Sequence, residues 1–151
     1  MYTLVLTFHS WVRWIALVAG VGATLAAMND PDVTANSRAD RWGLFLMIVL
    51  DIQMLLGLLL YLALSPFTAK AMQDFAAAMR NPQVRFWAFE HISAMVLAVI
   101  LVHVGRVLAR KATTPKSKRR RLVACFAVAT MSMLIATPWP GLPNGRPLLR
   151  L

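Results

Sequence analysis

Four apolar runs set the terms on which this chain can fold: residues 3–28, 42–64, 84–108 and 122–138. A helix crosses a hydrocarbon core of about 30 Å with about 20 residues, within a range of about 17–25. The first three runs meet that length. The fourth is apolar from Leu122 to Thr137 and reaches it by extending to Pro138 and Trp139 at the interface. Apolar residues make up 59% of the chain and charged residues only 15%, which excludes an ordinary soluble domain. The expected fold is all-α, an integral membrane up-down four-helix bundle forming one domain over residues 1–151. A short interfacial helix is expected over about 67–80. No fixed-period repeat or low-complexity tract interrupts it.

Charge orients the bundle. The segment "GRVLARKATTPKSKRRR" carries eight Lys or Arg between Arg106 and Arg121, and Arg38 and Arg41 join them from the loop between the first two runs. The other side has only Lys70, Arg80, Arg85, Arg146 and Arg150. Basic residues collect on the cytoplasmic side of a membrane. Both termini are therefore expected outside a bacterial inner membrane, in the periplasm. The net charge of +10 follows from this bias and suits anionic lipids at the inner face. A nucleic-acid reading needs a soluble fold or interleaved aromatics, and the sequence offers neither. No Lys or Arg precedes Arg13, so the first run lacks the basic head of a cleavable signal peptide and is expected to be retained. The single cysteine, Cys125, lies within the fourth run and reads as a small packing residue.

Between the second and third runs, "SPFTAKAMQDFAAAMRNP" repeats Phe67, Ala71, Phe75 and Met79 at intervals of four. That spacing predicts one amphipathic helix in the headgroup layer, ended by Pro82. The segment "TPWPGLPNGRPLLRL" holds four prolines and cannot be regular helix. Trp139 is expected to anchor the interface, and the remaining tail to be disordered or to lie along a neighbour.

Ionisable groups at membrane depth cost at least a few kcal/mol, so they normally face protein and pair. They fall on three of the four runs: His9 and Arg13, Asp51 with Gln53 beside it, and Glu90, His91, His103 and Arg106. His9 and His91 lie at similar depths on two runs of the same direction, about 9–11 Å below their starts at 1.5 Å per residue. Two imidazoles so placed can hold one haem b, as side chains on facing helices hold cofactors in bundles. Arg13, Ala16 and Gly20 share a face with His9; Ala94 or Met95, Ala98 and Gly105 share one with His91. These small residues would leave a slot, with Arg13 on a haem propionate. They serve close helix packing equally well. Arg13 and Glu90 are near enough in depth for a buried ion pair without any cofactor. A zinc site from His9, Glu90 and His91 is weaker, because adjacent residues diverge by about 100° on a helix. Asp51 and His103 match in depth toward the inner side. A hydrogen bond is the plain assignment, and a proton relay serving quinone chemistry the sharper one. Gln53 is helix-linking glue or a quinone donor.

"FHSWVRW", "DIQMLLGLLLY", "FWAFEHISAM" and "TPWP" resemble segments of small bacterial four-helix membrane proteins described as cytochrome b-like. The resemblance spans nearly the whole chain. It implies His9 and His91 as the marked positions, with Arg13, Gln53 and Glu90 as companions. Four-helix b-type cytochromes often hold two haems on two histidine pairs; three histidines here provide for one. One haem near the outer face would exchange electrons with quinone or a periplasmic carrier. The alternative is a haem-free accessory subunit of a larger respiratory or photosynthetic membrane complex.

Overall fold

The computed structural model of the chain describes residues 1–148. Arg150, counted above among the sparse basic residues, lies outside them, as does the end of the tail. The described residues are helical for most of their length. The order is α1 (Tyr2–Asn29), α2 (Arg38–Leu59), three short helices α3 (Pro66–Gln73), α4 (Phe75–Arg80) and α5 (Pro82–Arg85), then α6 (His91–Arg110) and α7 (Pro115–Ile135). A π-helical turn, Leu60–Leu64, continues α2, and a second, Phe86–Glu90, joins α5 to α6. Three continuous helical stretches are long and apolar enough to cross a membrane: Tyr2–Asn29, Arg38–Leu64 and Pro82–Arg110. α7 has the length, but its first turns hold Lys116, Lys118, Arg119, Arg120 and Arg121.

Side-chain size largely sets which face of α1 turns inward. On α1 the buried face is made of Ala16, Ala19, Gly20, Ala23 and Ala27, while Leu4, Phe8, Ile15, Val18 and Leu25 are exposed on the other. Small residues let helices approach closely, and large apolar residues facing outward suit lipid rather than water. α1 packs on α2 and α7, and α6 packs on α2 and α7. A Cβ on Gly20 would fall 2.7 Å from Thr130 Oγ1, and one on Gly105 would fall 2.5 Å from Cys125 Cβ. Gly20 and Gly105, read above as walls of a haem slot, are thus filled by α7. Ala16 and Ala98 are likewise buried in the apolar core around Leu46, Val102 and Phe126.

Residue pairs fix the directions. Gly22 meets Trp42 while His9 meets Gly57, so α1 and α2 are antiparallel. Asp40 meets Arg106 and Tyr61 meets Ala88, so α2 and α6 are antiparallel. Gly105 meets Cys125 and His91 meets Ala136, so α6 and α7 are too. α1 and α6 therefore run the same way. At the basic end, Arg106 ties α6 to the start of α2 through Asp40 Oδ1 at 3.0 Å and the Asp40 carbonyl at 2.9 Å. Ser37 caps α2 by accepting from Asp40 N–H, and Thr114 caps α7 by accepting from Ser117 N–H.

The expected interfacial helix is two helices. Asp74 leaves helical geometry (φ −147°, ψ 91°) and its carboxylate caps α4, accepting from Ala77 N–H at 2.9 Å. A short acidic side chain competing for backbone N–H groups ends one helix and starts the next. The apolar face therefore divides: Ala71 is buried, while Phe75 is 59% exposed.

Candidate functional site

The end of the molecule where α1 begins contains a cavity with apolar walls. Its empty space is about 800 Å³ counting the open mouth, with a clear interior of about 90 Å³. α1 contributes His9, α2 contributes Gln53 and Gly57, α6 contributes His91, and Phe67, Trp87 and Arg146 complete the lining. Among the described residues, no Asp or Glu lines it.

The π-helical turns shape this region. Tyr61, in the first, donates from its hydroxyl to the Ala88 carbonyl in the second at 2.9 Å. Single π turns widen a helix locally and often occur at functional sites. Trp87 and His91, one turn apart, both reach the cavity, and their ring centres are 5.6 Å apart. Glu90 points away, to Arg85 Nε at 2.6 Å, with both side chains more than 40% exposed.

His9 and His91 come together here, ring centres 6.4 Å apart and ring planes 70° apart. Their hydrogen bonds define which nitrogen bears the proton. His91 Nδ1–H donates to the Ala136 carbonyl at 2.9 Å, leaving a lone pair on Nε2. The Gln53 amide donates to the His9 carbonyl at 3.0 Å and lies 3.3 Å from His9 Nε2. An amide NH₂ is a donor only, so His9 Nε2 accepts and its proton sits on Nδ1. His9 Nδ1 and Gln53 Oε1 are buried and have no hydrogen-bond partner. Buried polar atoms left unmatched are uncommon and point to a missing ligand or water.

Gly57 explains how the His9 ring fits. A Cβ there would stand 3.3 Å from His9 Cε1, tighter than an ordinary contact. The sequence reading passed over Gly57, although its spacing of four from Gln53 puts both on the His9-facing side of α2.

Other expected partners are arranged differently. Arg13 is not on the cavity wall; its Nη2 donates to the Leu148 carbonyl at 3.2 Å, which also accepts from Trp14 Nε1 at 2.8 Å. The Arg13–Glu90 ion pair does not form, because Glu90 engages Arg85. The same pairing takes Glu90 from a zinc site, and among the described residues no group of three or more His, Cys, Asp or Glu gathers to hold a metal. Asp51 and His103 do meet across α2 and α6, at 3.6 Å. That exceeds a hydrogen bond, and His103 Nδ1–H already donates to the Val99 carbonyl at 3.0 Å. The expected hydrogen bond is therefore corrected to a looser contact between two side chains 43% and 46% exposed.

The tail was the larger omission. From Pro138 to Leu148 it folds back over the cavity end. Trp139 packs edge-on against Trp14, ring centres 5.9 Å apart, and donates from Nε1 to the Leu134 carbonyl. Arg146 lies over the rings of Trp87 and Phe67, at 5.0 and 5.7 Å. A proline-rich segment announces only that it is not helix, and a lone arginine in it gives no sign of where it lands.

Comparison with protein-family models, with curated proteins and with solved structures gives no match for this chain.

Proposed function

We propose that the chain is a transmembrane four-helix up-down bundle that acts as a b-type cytochrome-like electron-transfer protein or subunit, holding one haem b between His9 and His91. The observation that carries this reading is the pair of neutral imidazoles on like-directed helices, each with a lone pair on Nε2, in an apolar cavity. Two metal–imidazole bonds of about 2 Å each would put ring centres roughly 6 Å apart, in keeping with the 6.4 Å between these rings. Two imidazoles alone suit a metal that brings its other ligands with it, which is how haem iron is commonly held. The resemblance of the sequence motifs to cytochrome b-like membrane proteins agrees with this.

Within that reading each residue has a task. His9 and His91 would hold the haem iron through their ring nitrogens. The Ala136 carbonyl orients the His91 ring by accepting from its Nδ1, as second partners of ligating histidines do. Gln53 secures His9 through its carbonyl and yields the Nε2 contact. Trp87 and Phe67 exclude water from the mouth. Haem, when bound, would supply one-electron chemistry, for which membrane quinone or a periplasmic carrier would be the partner. The basic end faces the cytoplasm and anionic lipid headgroups, and both termini face the periplasm of a bacterial inner membrane.

The test is a visible spectrum of the detergent-purified protein expressed with haem supply. The expected result is a sharp reduced α-band, lost in both His9→Ala and His91→Ala. A colourless wild type that takes up no added haem would overturn the reading. A haem-free accessory subunit of a larger membrane complex is the second reading. It is favoured by one observation: both histidines already have protein partners, Gln53 and Ala136.

A further inference from the structure

Among the described residues, Arg146 is the one basic residue on the cavity wall besides the two histidines. Its guanidinium lies against Trp87 and Phe67. Stacking on two rings holds the planar group but uses none of its N–H donors. Among the described residues no carboxylate or carbonyl accepts from that guanidinium, and no acidic residue lines the cavity to neutralise it. The backbone around it is pinned on both sides. Arg146 N–H donates to the Pro138 carbonyl at 3.0 Å, and two residues on, Leu148 is held by Trp14 and Arg13. The described part of the tail is a strap over the cavity end, and its Arg146 is presented to the cavity with free donors.

We propose that Arg146 clamps the acidic group, carboxylate or phosphate, of an amphiphile whose apolar body lies in the cavity. A guanidinium stacked at an apolar mouth recognises a planar or tetrahedral anion in a forked geometry, stronger than a neutral hydrogen bond. The inference deepens the haem reading, since a haem propionate is one source of that acid. A phospholipid headgroup is the other. It also moves the role expected of Arg13 to Arg146: Arg13 holds the strap and Arg146 holds the ligand.

The experiment uses the full chain in detergent, with Arg146→Gln and Arg146→Lys variants whose helicity and melting match wild type. Added haem b and its dimethyl ester, which lacks both acidic groups, are titrated by absorbance. In parallel, retention of phosphatidylglycerol against phosphatidylcholine from mixed vesicles is measured by mass spectrometry. If propionate is the source, wild type binds haem about tenfold tighter than the ester, Arg146→Gln removes that preference, and Arg146→Lys keeps part of it. If the haem reading fails but the clamp holds, neither porphyrin binds. Wild type then retains phosphatidylglycerol in preference to phosphatidylcholine, and Arg146→Gln loses the preference. Equal affinities for acid and ester, together with lipid retention unchanged in Arg146→Gln, overturn the clamp.

Discussion

Gly57 shows how single atoms govern the site. The added Cβ of Gly57→Ala would press on His9 Cε1 at 3.3 Å, and a branched side chain would displace the ring. Under the proposed haem reading, Gly57→Val should therefore weaken haem uptake by about tenfold or more while the melting temperature changes little, as measured by haem titration beside thermal unfolding. Gly20→Leu should do the opposite. Its side chain would enter the space of Thr130 and Met133 in the helix interface, where overpacking costs about 1–3 kcal/mol, seen as a lower melting temperature. Charge pairs divide in the same way. Arg85 and Glu90 are both exposed, so Glu90→Gln should change stability by less than about 1 kcal/mol. Arg106 is only 11% exposed and holds Asp40 twice. Arg106→Ala should cost about 1–3 kcal/mol, below a fully buried pair because Asp40 is 35% exposed. At this scale the histidines could be picked out from the sequence, because few residues explain a histidine at lipid depth. Arg146 could not, because its place depends on the path of a tail without periodicity.

At the scale of elements, hydropathy located the first three long helices within four residues at each end. α7 begins at Pro115, seven residues before the fourth apolar run, because its first turns are basic. Hydropathy also missed what breaks the helices. The period of 3.6 carries no mark of a π turn, so Leu60–Leu64 and Phe86–Glu90 went unforeseen. Their importance lies in the Tyr61 hydroxyl that joins them at Ala88. Tyr61→Phe removes one hydrogen bond, a loss of about 1 kcal/mol in stability. The same change loosens the turn that leads into His91, so haem affinity should fall as well. A melting shift with no change in haem titration would mean that the two turns are only adjacent. Asp74 is the second case. Its capping role was hidden because an apolar repeat of four ran through it, and local capping overrode the pattern.

For the whole molecule, the question is whether α7 crosses the membrane with the other three. Hydropathy alone leaves it out: the apolar part, residues 122–135, is 14 residues, about 21 Å. Packing argues otherwise. α7 starts beside the basic end, where Arg121 donates to the Leu108 carbonyl and Cys125 meets Gly105. It finishes at the cavity end, where Ala136 holds His91 and Trp139 meets Trp14. Its 21 residues, about 31 Å, thus run the length of the 20-residue α6 beside it. The basic first turns then fall at the level of Arg106 and Arg110, where headgroups would meet them, and the short apolar part needs lipid on only one flank because α1 and α6 cover the others. Four crossings put both termini on one side; three put them on opposite sides. Alkaline phosphatase fused after residue 151 should be active in the periplasm, and a fluorescent protein fused at the same point should stay dark. The same reporters placed before residue 1 complete the test: a periplasmic N-terminus with a cytoplasmic tail would pull α7, Ala136 and Arg146 away from the two histidines, whereas two cytoplasmic termini would invert the bundle and leave the site intact.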